Sequence, residues 1–304
     1  MREFLTFEEL LNWSEVAGRF HPPARLAVIG DPIAHSRSPQ MHTPALHARG
    51  FDAQYIRVQV PQGRVAEAFR QFAAVGFLGV NITIPHKFEA LDAVDEVDPL
   101  ARQLGAVNTL AIRHGRLFGY NSDGPGYLRS VREAFAVEVK DLRVLILGAG
   151  GGAGRAVAVQ SALVGCPKLV LANRTVSKAE ALAGEVRAIS AQTEVKLLSW
   201  TDQAVAAVLP EIDLVVNATS LGMKNGDARL VPGGALQARH LVFDMVYRAD
   251  GETPLLTEAR TAGAKVVDGL TLLLHQGAIS FEHWFGGVAP LEVMREGLQN
   301  AAKA

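Results

Sequence analysis

Seven residues, Gly148-Ala149-Gly150-Gly151-Gly152-Ala153-Gly154, do most to limit what this chain can fold into. Before them stands Arg143–Leu147, a short apolar run that reads as a buried strand. After them, small residues from Arg155 to Val164 read as a helix. Glycines at such a junction permit a tight turn and let the backbone approach whatever lies at the helix N-terminus. Gly148 and Gly150 with Ala153 satisfy GxGxx[G/A]. In a strand–loop–helix setting that pattern points to the pyrophosphate of a dinucleotide, with Gly148, Ala149, Gly150, Gly151, Gly152 and Ala153 around it.

The same alternation runs through the rest of the chain. Lys168–Ala172 reads as the next strand, Ser177–Ala191 as a helix, and Leu214–Ala218 and Leu241–Met245 as later strands ending in polar residues. The first half has its own series. Leu26–Gly30, Gln54–Val60 and Gly79–Thr83 read as strands, separated by helices over Met41–Arg49 and Arg64–Val75 that stop at Gly50 and Gly76. Ahead of them, Thr6-Phe7-Glu8-Glu9 can form a capping box for a short helix whose apolar side is Leu10, Leu11 and Val16. Such alternation predicts an α/β protein with mostly parallel sheets. At 304 residues the chain exceeds what one hydrophobic core usually serves, so two α/β domains are expected.

Composition excludes several functions. With 30 Lys+Arg against 31 Asp+Glu, there is no electrostatic footprint for nucleic acid or an acidic membrane. No apolar run reaches the ~18 residues of a membrane span; Gln160, Ser161, Pro167 and Lys168 interrupt the nearest candidate. Glu3, Glu8, Glu9 and Glu15 break up any signal-peptide core. Cys166 stands alone and cannot form an internal disulfide, and the 9 histidines show no metal-ligand spacing. A cytoplasmic protein without a metal is expected.

The end of the second strand in the glycine-loop half selects the dinucleotide. An NAD site usually places Asp or Glu there for the ribose 2′-hydroxyl. This chain has Asn173-Arg174-Thr175 and then Lys178, cations and donors suited to a 2′-phosphate, so NADP is expected. Asn217–Met223, including Thr219, lies at a strand's C-terminal end and reads as packing beside the ribose and nicotinamide.

Polar residues concentrate in the loops of the first half. Ser36 and Ser38 carry hydroxyls two residues apart that could donate to one carboxylate. Asn81 and Thr83 share a strand face by their spacing, and Lys87 follows just beyond Pro85. Asn108 and Asp123 come from two further loops. An ammonium and a carboxylate converging on a hydroxyl suit alcohol oxidation, taking up the proton as hydride leaves carbon.

Taken in order, these segments resemble the shikimate dehydrogenase family from about Leu26 to the last helix. The resemblance rests on Val28–Ile33, His35–Pro39, Asn81–Lys87, Gly105–Thr109 and Asn121–Gly124. The glycine loop, Asn173–Thr175, Asn217–Met223 and Asp268-Gly269-Leu270 with Gln276 complete it. It implies that Ser36 and Ser38 bind the substrate carboxylate and that Asn81, Thr83, Asn108 and Gln276 hold its hydroxyls. Tyr247 would reach the same region, and Lys87 with Asp123 would form the catalytic pair. Gly148–Ala153, Asn173, Arg174, Thr175, Lys178, Thr219 and Gly269 would meet NADP. The implied reaction is reversible NADP-dependent reduction of 3-dehydroshikimate to shikimate, a step of chorismate and aromatic amino-acid biosynthesis, by a monomer or homodimer. It also implies a discontinuous substrate domain, residues 1–122 and 269–304, a Rossmann-like NADP domain, residues 123–268, and an active site in the cleft between them.

The chain departs from the family pattern in places. Its glycine loop is one residue longer, Thr43 follows His42 in place of asparagine, and Ser122 replaces threonine. Leu272 stands for methionine, Ala249 for proline, and about 20 extra residues precede the first strand. Two other functions fit the same residues. A quinate or dual shikimate/quinate dehydrogenase using NAD(P) is one, although the two serines lean towards shikimate. A catalytically silent NADP-binding regulatory module is the other, and the presence of both Lys87 and Asp123 argues against it.

Overall fold

The computed structural model describes residues 3–248 and 251–301; Ala249 lies outside them. The chain divides into two compact units, Met1–Ser122 with Leu274–Ala304, and Asp123–Leu273.

The first unit is built on seven strands: β1 (Leu5–Thr6), β2 (Ala24–Gly30), β3 (Gln54–Gln59), β4 (Gly79–Ile82), β5 (Glu96–Val97), β6 (Thr109–Arg113) and β7 (Arg116–Tyr120). Their order is β1-β3-β2-β4-β6-β7-β5. Strands β1 to β4 run parallel, joined by the helices Ser38–Ala48 and Val65–Ala74. The sheet is mixed because β6 pairs antiparallel with both β4 and β7. The β6–β7 hairpin turns at His114-Gly115, whose φ angles of 52° and 77° are both positive, as a tight two-residue turn requires. Ile29, Val58, Val80, Phe69, Phe72 and Phe77 fill the core.

At the N-terminus, Thr6 and Glu9 form the reciprocal capping box. The Glu9 amide donates to Thr6 Oγ1 at 3.3 Å, and the Thr6 amide donates to Glu9 Oε2 at 2.9 Å. The helix it starts is split, Phe7–Leu11 and then Trp13–Val16. Phe7, Leu10 and Val16 are its buried residues, while Leu11 is 37% exposed, so Phe7 takes the core place expected of Leu11. Residues Leu5 and Thr6 lie beside Val58 and Gln59 of β3, covering what would otherwise be an open sheet edge.

The second unit is a six-stranded, wholly parallel sheet: β8 (Arg143–Leu147), β9 (Lys168–Ala172), β10 (Glu194–Leu198), β11 (Leu214–Asn217), β12 (Leu241–Asp244) and β13 (Lys265–Val267). The order β10-β9-β8-β11-β12-β13 is that of the doubly wound dinucleotide fold, with the direction of winding reversing at β8. β8 to β12 are short apolar runs except for the half-exposed β10, which is why composition alone did not mark β10 as a strand.

Candidate functional site

In the second unit the glycine loop leaves β8 at the switch point, where ligands of such sheets bind. The helix that follows runs Gly152–Leu163, starting three residues before the expected Arg155. Two glycines are fixed by sterics. Gly148 has φ +89°, and a Cβ there would sit 2.4 Å from Thr219 Cγ2. A Cβ on Gly154 would lie 2.3 Å from the Gly148 carbonyl oxygen. Gly154 thus brings the first turn of the helix against the start of the glycine loop. Gly150 packs against Asn173 and Lys178, and its amide donates to Asn173 Oδ1 at 3.2 Å. Gly151 and Gly152 are exposed, and no side chain caps the helix N-terminus at Gly151.

These features fit a dinucleotide phosphate: bare backbone N–H groups at a helix start, beside a strand end that offers cations. Arg174, Thr175 and Lys178 are exposed past β9, with no acid among them, and Asn173 Nδ2 donates to the Thr175 carbonyl at 2.8 Å.

Beyond β11, Thr219 closes its own turn, with its amide and hydroxyl both donating to Asn217 Oδ1 at 2.9 and 2.7 Å. Asn217 in turn donates to Asp244 Oδ1 at 2.7 Å. Asp244 is fully buried at the end of β12 and also accepts from the Val246 amide and the Thr253 hydroxyl. Burial raises its pKa, against the pull of those donors. Tyr247 follows, half-buried. Gly269 opens the helix Gly269–Phe285 so close to the Met245–Val246 backbone that a Cβ would meet the Met245 carbonyl oxygen at 2.3 Å.

In the first unit the candidate residues gather at the C-terminal ends of β2 and β4. The Asp31 amide donates to the Ile84 carbonyl, and Gly30 leaves room for Thr83. The Ser36 hydroxyl donates to Ser38 Oγ at 3.2 Å, so the two side chains lie side by side. Strand β4 ends at Ile82, so Thr83 sits just past it, half-buried, and Lys87 is half-buried further along the loop. Asn81 is buried in β4 opposite Thr109 of β6.

The asparagines are joined below the loops by a buried polar network. Tyr55 Oη donates to Asn81 Oδ1 at 2.7 Å, and Asn81 Nδ2 donates to Ser280 Oγ at 2.9 Å. Ser280 meets Thr109 Oγ1 at 2.7 Å and Ser122 Oγ at 3.2 Å. Asn108 donates to Ser122 Oγ at 3.0 Å and accepts from the Ser122 amide at 2.8 Å. Ser122 Oγ reaches Gln276 Oε1 at 3.4 Å. The network brings Asn81, Asn108 and Gln276 together. It also fixes Ser122, whose chain neighbour Asp123 begins the helix Asp123–Phe135, in the second unit. Among the described residues, no group of three or more His, Cys, Asp or Glu could hold a metal ion, and no helix is long and apolar enough to cross a membrane.

Three family models match the chain: the shikimate dehydrogenase substrate binding domain over residues 28–110, shikimate/quinate 5-dehydrogenase over 130–225, and the shikimate 5′-dehydrogenase C-terminal domain over 269–299. The chain is 43% identical to the shikimate dehydrogenase (NADP(+)) of Symbiobacterium thermophilum, over 90% of its own length and 93% of that protein. The chain belongs to the shikimate dehydrogenase family. Among solved structures, shikimate 5-dehydrogenase of Thermus thermophilus in complex with NADP(H) and shikimate matches with TM-score 0.81 and 35% identity, covering 91% of this chain and 99% of that one. The quinate dehydrogenase of Corynebacterium glutamicum in complex with NAD matches with TM-score 0.80 and 30% identity, covering 90% and 98%.

Within this shikimate dehydrogenase framework, sequence reasoning passed over Tyr55, Arg57, Ser280 and Asp244. Tyr55 and Arg57 share one face of β3 by their spacing, and Ser280 lies one helical turn after Gln276, where its hydroxyl donates to the Gln276 carbonyl at 2.9 Å. Those spacings were the available signal; what was missing was the strand register that carries Tyr55 to Asn81.

Proposed function

We propose that this chain catalyses the reversible NADP-dependent reduction of 3-dehydroshikimate to shikimate, in chorismate and aromatic amino-acid biosynthesis in the cytoplasm. The observation that carries this reading is the 43% identity, sustained over 90% of the chain, to a protein named as an NADP(+) shikimate dehydrogenase. When bound, NADP supplies the hydride acceptor or donor.

The chain's own residues then have distinct tasks. Ser36 and Ser38 donate to the substrate carboxylate, their hydroxyls already 3.2 Å apart. Asn81, Asn108 and Gln276 hold the substrate hydroxyls, with Thr83 and Tyr247 bordering them. Because Asn81 and Asn108 are anchored at both ends of their amides, they present fixed directions and lose little freedom on binding. Lys87 and Asp123 share the proton of the reacting hydroxyl, accepting it in oxidation and returning it in reduction. Gly148 to Ala153 and Gly269 present their backbone to the cofactor, and Thr219 borders its nicotinamide half. Asn173, Arg174, Thr175 and Lys178 receive the adenosine 2′-phosphate.

Quinate is the competing substrate, supported by the likeness to a quinate dehydrogenase structure. It carries an additional tertiary hydroxyl beside its carboxylate, where a serine pair already fills the donor positions. Steady-state kinetics with shikimate and quinate, each with NADP and NAD, test the assignment. The expected order puts shikimate with NADP first in kcat/KM; a higher value for quinate with NAD would overturn it.

A further inference from the structure

The Ser36–Ser38 loop is held from beneath by a buried cation. Arg57, on β3, is only 9% exposed. Its Nε donates to the Ser36 carbonyl oxygen at 2.7 Å and its Nη2 to Gln40 Oε1 at 3.0 Å. Its Nη1 turns the other way, donating to the Glu3 carbonyl at 3.4 Å and lying 3.6 Å from the Glu3 carboxylate. One guanidinium thus ties together the serine loop, the first turn of the helix Ser38–Ala48 and the N-terminal segment beside β1. Burying a guanidinium is costly unless its donors are well matched, and here they are matched to a functional loop rather than to the sheet. The planar fork also fixes direction, which a lysine could not do.

We infer that Arg57 is a positioning residue for substrate carboxylate recognition: it clamps the Ser36 backbone so that the Ser36 and Ser38 hydroxyls aim at one acceptor. The N-terminal segment, through Glu3, closes the clamp from outside. This rests on the proposed role of the two serines. A surface loop ordered in advance binds more tightly because less freedom is lost when the ligand arrives. Arg57 acts through the loop, so its effect belongs to substrate binding and not to hydride transfer or cofactor binding.

A double-mutant cycle on the full-length enzyme tests this. Arg57→Met is expected to raise KM for shikimate about tenfold, with kcat and KM for NADP each within about threefold of the parent. Ser38→Ala is expected to raise the same KM on its own but to add little in the Arg57→Met background, because both changes disable one recognition element. Arg57→Lys keeps the charge without the fork and is expected to fall between the two; it also serves if the methionine variant does not fold. Equal rises in both KM values, full additivity with Ser38→Ala, or a parental shikimate KM in a folded Arg57→Lys would each overturn the role of Arg57. If Ser38→Ala alone leaves KM for shikimate unchanged, the assignment of the serines fails, and the inference with it.

Discussion

In the first unit the candidate residues project from buried strands and loops and hydrogen-bond to one another, from Tyr55 through Asn81 and Ser280 to Asn108 and Gln276. In the second unit they are mostly backbone and exposed side chain: a glycine turn that two Cβ atoms would close, and Arg174, Thr175 and Lys178 in solvent. The first arrangement suits a small ligand with several hydroxyls, where selectivity comes from fixed donors that go unpaired when the wrong molecule enters. The second suits a long dinucleotide, gripped through charge and close approach with few buried side chains. One unit invests in side-chain order and the other in backbone shape.

If that contrast is right, damage in the first unit should reach the substrate or its chemistry, and damage at the cation cluster should reach only cofactor affinity. The largest effect is expected for Lys87→Ala. Removing one member of a proton-transfer pair costs on the order of 10²–10⁴ in rate, so kcat should fall about a thousandfold, roughly 4 kcal/mol of barrier. NADP affinity, measured by direct titration, should be unchanged. A variant that kept most of its turnover would move Lys87 out of the chemistry and leave the first unit a binding platform only.

The buried order of the first unit also predicts how it responds to acid. His42 is wholly buried between Tyr55, Phe281 and Trp284, with neither ring nitrogen bonded, and desolvation pushes its pKa down to about 3. The unfolded imidazole titrates near 6.5, so the native state binds fewer protons below that pH. Its stabilising contribution is therefore complete above about pH 6.5 and is lost as pH falls towards 3. At about 1.4 kcal/mol per unit, the loss reaches about 3 kcal/mol by pH 4.5. Thermal melts between pH 6.5 and 4.5 should fall more steeply for the parent enzyme than for His42→Leu. Parallel slopes would show that His42 is not what makes the first unit acid-sensitive.

This difference between the units also explains what could be read in the sequence. A glycine turn announces itself because few residues can replace it, and the strand and helix around Gly148–Gly154 were legible to within three residues. The short apolar strands β8 and β9 were legible with their ends, since parallel strands covered on both faces leave near-continuous apolar runs. The capping box at Thr6 and Glu9 was equally local. The β6–β7 hairpin was not, because His114-Gly115 is an unusual sequence for a turn with two positive φ angles. Nor was the network around Asn81, since Tyr55, Thr109 and Ser280 meet it from three distant stretches, and only register brings them together. Ser36 and Ser38 could be recognised as a pair, but the guanidinium beneath them could not.

A smaller effect than that of Lys87→Ala should come from Arg174→Ala, and it bears most directly on the second half of the contrast. Arg174 is exposed at the end of β9, so removing it leaves no cavity and no unpaired buried partner, and thermal stability should not change. Its contribution is expected only when a 2′-phosphate is present, where a charge-assisted hydrogen bond is worth about 1.5–3 kcal/mol. KM for NADP should therefore rise ten- to a hundredfold while KM for NAD, which lacks that phosphate, stays within about twofold. Lys178, one helical turn on, keeps some positive potential in place, which favours the lower end of that range. Equal changes for both cofactors would mean that Arg174 meets a part of the dinucleotide common to both, such as the adenine face. Any preference of the second unit for NADP would then have to come from Thr175 and Lys178.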